Sequence, residues 1–195
     1  MGLFSLIASL PQLVLFETPP VSSEKFLSFC SSCLGAKEYE LAARWSLVPS
    51  DALAALVSAF PVHSLPRAYY SWELALRNSI AKIRAARLPG HGPAERPEAG
   101  YEADADSVVR AAFSVRDPLE REKILDRARW NKIGELQHKY SRHGFTLDAV
   151  YAYRIRLLIA EKWAARKGAE APDNLERTAS AVRTGTAFTE KETEE

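Results

Sequence analysis

Apolar residues recur at three- and four-residue spacings along most of this chain, the mark of helices that bury one stripe. Over 65–87, Leu65, Tyr69, Trp72, Leu76, Ser79, Ile80 and Ile83 share one stripe, while Glu73, Arg77 and Arg84 fall on a solvent-side face. Over 118–140 the stripe is Leu119, Leu125, Trp130, Ile133, Leu136 and Tyr140. Over 147–166 it is Leu147, Val150, Tyr151, Tyr153, Leu157, Leu158 and Ala165. These stripes predict an all-α fold.

Start and stop signals divide the chain further. Ser22 or Ser23 caps a helix that runs to about residue 34, where Gly35 ends it. A second helix is predicted over 37–47. Pro49, Ser50 and Asp51 open a third, which stops before Pro61. Residues 104–114 form a short helix. Asp117 and Pro118 start the next, with Glu120 placed to favour the helix dipole. Gly144 ends it and Thr146 caps its successor, so the last two long helices form an antiparallel hairpin. A weaker helix spans 173–184.

Residues 88–100 hold three prolines and three glycines, which cannot sustain a helix or strand. The organisation read from this is a helical half over 1–87, a flexible linker over 88–103 and a second helical half over 104–184. The charged, apolar-poor stretch 185–195 is expected to be disordered. Residues 3–8 alternate, and predict a short strand or extended arm ended at Pro11. The architecture is thus a multi-helix bundle of antiparallel hairpins in two halves, with an extended N-terminal arm.

Four charges fall inside the apolar stripes. Asp126 and Arg129 sit on that of 118–140, and Arg154 and Glu161 on that of 147–166. A helix face that buries charge must pair it, because a lone buried ion costs several kcal/mol. With a turn near residue 145, facing positions should sum to roughly 290. Arg129 and Glu161 meet that rule and predict an ion pair, with Asp126 bridging Arg129 along its own helix. Arg154 needs another partner, a carboxylate or carbonyls in the first half. The competing functional reading is a catalytic carboxylate pair, Asp126 with Glu161.

Composition narrows the function classes. The net charge of +1 argues against a nucleic-acid binder that relies on many phosphate contacts. Cys30 and Cys33 form a C-x-x-C at the end of a helix, where the dipole does not favour a thiolate. No second pair completes a zinc site, so both read as small half-buried residues. The apolar stretch 3–16 has no preceding Lys or Arg and is too short to span a membrane. A cytoplasmic protein without a membrane span is expected. No nucleotide-binding, hydrolase or metalloprotease motif occurs, and neither metal nor cofactor is expected. Trp163 lies opposite its helix's main stripe, near Ile155 and Ile159. That helix is either central in the bundle, or it offers these residues as a docking face.

Several stretches fall in a familiar order. They are L-I-A-S-L-P at 6–11, W-E-L-A-L-R-N at 72–78, I-R-A-A-R at 83–87, D-P-L-E at 117–120, L-D-R-A-R-W at 125–130 and F-T-L-D-A-V-Y-A-Y at 145–153, with E-K-W at 161–163. The set resembles a small bacterial family of unknown function encoded among the genes of V-type rotary ATPases. The resemblance implies a reduced relative of the helical central-stalk socket, the component that joins the shaft to the membrane rotor ring. It implies a non-catalytic protein, peripheral to the membrane, whose partners are other V-type ATPase subunits. The candidate partner surfaces are the Arg77, Arg84 and Arg87 face and the Ile155, Ile159 and Trp163 face. The alternatives are a transient assembly or regulatory adaptor of the same machine, and a helical enzyme using Asp126, Arg129, Arg154 and Glu161.

Overall fold

A computed structural model of the chain describes residues 2–48, 50–87 and 102–169, with side chains through 167. The expected linker over 88–100, helix over 173–184 and tail over 185–195 lie outside the described residues. The elements in chain order are α1 (Leu3–Ser9), α2 (Ser23–Cys33), α3 (Ala36–Ala43), α4 (Asp51–Ser58), α5 (Leu65–Ala85), α6 (Ala103–Ser114), α7 (Pro118–Tyr140) and α8 (Leu147–Ala169). The fold is all-α, and there is no strand among the described residues.

The local signals act as their chemistry requires. Ser22 Oγ accepts from Lys25 N–H at 3.3 Å, which starts α2. Ser50 Oγ accepts from Leu53 N–H at 3.2 Å and starts α4. The Asp117 carboxylate accepts from Leu119 N–H at 2.9 Å, with Pro118 in the first turn of α7. Gly144, at φ 75°, makes the left-handed turn between α7 and α8. Thr146 Oγ1 then accepts from Ala149 N–H at 3.4 Å. Ser64 offers α5 no side-chain cap, and Asp148 of α8 accepts from Leu65 N–H at 3.0 Å instead.

The N-terminal stretch departs from the expectation of a strand or arm: it is the helix α1. Leu3, Leu6, Ile7 and Leu10 follow a spacing of three and four, which puts them on one helical side. Leu6 is buried in a cluster with Phe26, Cys30, Val150 and Leu157, and Leu3, Ile7 and Leu10 pack around it. The alternation of apolar and polar residues in so short a segment does not distinguish the two periods.

Helix α8 is the centre of the molecule. It packs against α1, α2, α3, α5 and α7. One side of it, through Val150 and Leu157, closes the cluster with α1 and α2. Another, through Tyr151, Ile155, Ile159 and Trp163, joins a larger core drawn from α3 through α7. Both halves of the chain contribute to that core, which includes Trp45, Trp72, Val109 and Ile133. Ile155 and Ile159 are 0% exposed and Trp163 4%. Their proposed docking face is therefore interior: α8 is apolar on two sides because it has neighbours on both.

Candidate functional site: a charged groove between α5, α7 and α8

Residues 72–76 of α5 are all buried, because this long helix touches α4, α6, α7 and α8. Glu73, 5% exposed, is thereby carried into the interior rather than to the solvent side. It meets Arg129 of α7, which is 8% exposed. Arg129 Nε donates to Glu73 Oε2 at 2.8 Å, and Nη2 donates to Oε1 at 3.0 Å. This two-point pairing fits the guanidinium fork to a carboxylate. Arg129 Nη1 donates to Asp126 Oδ1 at 2.8 Å.

The network extends from there to α8 and back to α5. Asp126 Oδ2 accepts from Trp163 Nε1 at 2.7 Å and from Lys162 Nζ at 2.5 Å. Lys162 also donates to Glu122 Oε1 at 2.7 Å. Arg77 Nε donates to Glu73 Oε1 at 2.7 Å, and its Nη2 to the Leu47 carbonyl at 2.9 Å. Burial works to raise the Asp126 pKa, but Arg129 and Lys162 outweigh it and hold the carboxyl below its ordinary range. Burial likewise draws Arg129 down, and Glu73 more than reverses it, leaving the guanidinium held well above its ordinary value. Asp126 and Arg129 are thereby each held in the charged form by their partners.

The expected Arg129–Glu161 pair does not form. Glu161 instead meets the start of α2, accepting from Ser23 N–H at 2.5 Å and from Ser23 Oγ at 2.5 Å. A carboxylate there is favoured by the free amides and positive dipole of a helix N-terminus. Arg154 Nη1 donates to the same Ser23 hydroxyl at 2.5 Å, and its Nε to the Ala42 carbonyl at 3.2 Å. Arg154 thus takes the carbonyl partner in the first half that its position required. The four charges form two separate groups, Asp126 with Arg129 and Arg154 with Glu161, so the catalytic pairing of Asp126 with Glu161 is not assembled.

The register that set Arg129 opposite Glu161 fails, since the two point to different sides, although other contacts across the hairpin stay near the expected sum. Asp126 faces Lys162 and Trp163, and Gln137 faces Arg156, pairs whose numbers sum to 288, 289 and 293. What differs is the rotation of α8, which turns residue 162 rather than 161 toward α7.

The network lines a groove of about 670 Å³, together with Trp45, Leu53, Tyr69 and Leu125. Its lining includes Arg77 and Arg84 of α5 and Arg166 of α8. Arg84 is exposed and Arg166 lies with its guanidinium 4.9 Å from the Trp163 ring centre. Neither pairs with a carboxylate among the described residues. Arg87, grouped with these arginines in the sequence reading, is directed elsewhere: its Nη2 donates to the Phe113 carbonyl at 3.3 Å and its guanidinium covers the Phe113 ring. Sequence reasoning missed Glu73, Glu122 and Lys162. The signal for Glu73 was its position on the row Tyr69, Glu73, Leu76 and Ile80, at the margin of the apolar stripe.

Among the described residues no group of three His, Cys, Asp or Glu side chains could hold a metal ion. Cys30 is buried, and desolvation with Cys33 nearby pushes its thiol up to about 12. No described helix is long and apolar enough to cross a membrane.

No family model, curated protein or solved structure matches the chain.

Proposed function

We propose that this protein is a non-catalytic binding component of a bacterial V-type rotary ATPase, in the role of a socket between shaft and membrane rotor. The attachment to that machine rests on the sequence stretches quoted above. The binding role rests on one observation: Arg84 and Arg166, from two different helices, line a single groove and pair with no carboxylate among the described residues. Around them the carboxylates that could do acid–base work, Glu73 and Asp126, are both engaged with Arg129. The groove offers a partner fixed cations above a partly apolar wall, which suits an acidic surface.

The protein would reside in the cytoplasm and reach the membrane only through the complex. Affinity purification of the tagged chain from its native cells, at low and moderate salt, tests this. Stoichiometric recovery of catalytic and shaft subunits supports the reading, and a double Arg84→Glu, Arg166→Glu variant should lose them. Recovery of those subunits only from assembling, not finished, complexes would favour a transient assembly adaptor. Recovery without any ATPase subunit rejects the rotary-ATPase assignment.

A further inference from the structure

A second cavity, of about 360 Å³, shares no lining residue with the first. It lies between the segment that follows α1 and the α7–α8 hairpin. Its lining includes Arg156, Gln137, Trp130, Gln12, Ile7 and Leu13.

Arg156 is the unusual member. It is half-buried, and no carboxylate pairs with it among the described residues. Its Nη1 donates to Gln137 Oε1 at 3.0 Å, its guanidinium lies 5.2 Å from the Trp130 ring centre, and its buried Nε–H has no acceptor. Burial alone draws its pKa below the ordinary arginine value, with no acidic neighbour acting against it. An arginine desolvated in this way without a counter-charge is a net cost to the folded state.

The seat for this cation is built. Trp130, Gly134 and Gln137 stand in line on α7, and a Cβ at Gly134 would come within 3.0 Å of Arg156 Nη2. Glycine inside a helix is itself unfavourable by roughly 1 kcal/mol, and here it leaves Nη2 the room that a Cβ would crowd. Two unfavourable features, an uncompensated cation and a mid-helix glycine, thus meet at one point beside an open cavity. Leu10, Pro11, Ala149 and Tyr153 complete the lining, the Tyr153 hydroxyl donating to the Pro11 carbonyl at 3.1 Å.

We propose that this cavity is a binding site for a carboxylate with a short apolar tail, the carboxylate pairing with Arg156 and the tail lying against Ile7 and Leu13. A planar carboxylate fits the guanidinium fork and supplies the acceptor that Nε lacks. The volume is in the range of small-ligand pockets. The carboxylate has two sources, a free organic acid or the C-terminus of a partner chain.

The test is a titration of the full chain, followed through the Arg156 Nε–H resonance by NMR. The probes are hexanoate, hexanamide, inorganic phosphate, and acetyl-leucyl-leucine with a free or an amidated C-terminus. Saturable binding of hexanoate but not hexanamide, weakened at least about tenfold in Arg156→Gln by thermal-shift measurement, supports the organic-acid source. Saturation by the free-acid dipeptide but neither its amide nor hexanoate supports a chain terminus. Because the Arg156 charge is uncompensated, Arg156→Gln should melt at or above the parent temperature. Gly134→Ala should keep the fold and weaken the same binding by crowding Nη2. The proposal is overturned if no carboxylate saturates below about 10 mM, if phosphate alone binds, or if binding survives Arg156→Gln. A lowered melting temperature for Arg156→Gln without carboxylate binding would assign the arginine a packing role and also overturn it.

Discussion

Glu73 and Arg129 stand 56 positions apart in the chain and meet through two hydrogen bonds in the interior, at 2.8 and 3.0 Å. This contact ties α5 to α7. With Asp126, Lys162 and Trp163 it ties both to α8. Removing Arg129 alone leaves Glu73 with Arg77 and Asp126 with Lys162 as their cations, whereas removing Glu73 with it takes away one of the two buried carboxylates as well.

Glu73→Ala or Arg129→Ala alone should therefore lower stability by about 3–5 kcal/mol. The pair Glu73→Leu, Arg129→Met should cost much less than the sum. Urea unfolding of the four proteins measures this. Additive losses would show that the two side chains act independently.

Asp126 has a folded pKa below its unfolded value, so its contribution is present above the unfolded value of about 3.9 and is lost as the pH falls through the folded one. Asp104, accepting from Lys132 at 2.7 Å, is shifted the same way. Stability should fall steeply below about pH 4. Asp126→Asn should flatten that slope while lowering stability at neutral pH. A parent and variant with identical slopes from pH 5 to pH 2 would remove Asp126 as the cause.

Asp148 behaves oppositely. Burial raises its pKa and the Leu65 N–H only partly offsets this, so the carboxylate opposes folding as the pH rises through its folded value. An amide oxygen can accept the same hydrogen bond. Asp148→Asn should leave stability at pH 7 unchanged or higher, while Asp148→Ala, which uncaps α5, should cost about 1 kcal/mol. Thermal melts at pH 7 decide between them. An Asn variant as weak as the Ala variant would show that the charge itself holds the cap.

Cys30 is 0% exposed with a thiol raised to about 12, whereas Cys33 is half-exposed. Iodoacetamide at pH 8 should add one label to the folded chain and two in denaturant, as read by mass spectrometry. Rapid labelling of Cys30 in the folded chain would contradict the packing of α1 and α8 over it.

The helices from α2 onward were legible because their signals are local, whereas the α1 segment reads as a strand or arm. The caps at Ser22, Ser50 and Asp117 act on amides two or three residues away, and the 3.6-residue stripes of α5, α7 and α8 are each visible within one segment. The pairing of α7 and α8 as a hairpin was legible too, since one tight turn joins them, but the facing of Arg129 with Glu161 read from that turn does not occur. The requirement that Asp126, Arg129 and Arg154 be paired also followed from their place on apolar faces.

The identity of the partners did not follow from the chain. Helix α8 is enclosed by five others, so its apolar residues surround it and its period does not reveal its rotation. A turn of one residue sends Glu161 to the start of α2 and Lys162 to Asp126. For the same reason Ile155, Ile159 and Trp163 became core rather than surface. Glu73 was hidden because the depth of a position depends on how many helices cover it, not on its own stripe. Periodicity along the chain determined that helices form and which charges need compensation. Distance in space between segments, set only when the helices pack, decided which charge compensates which.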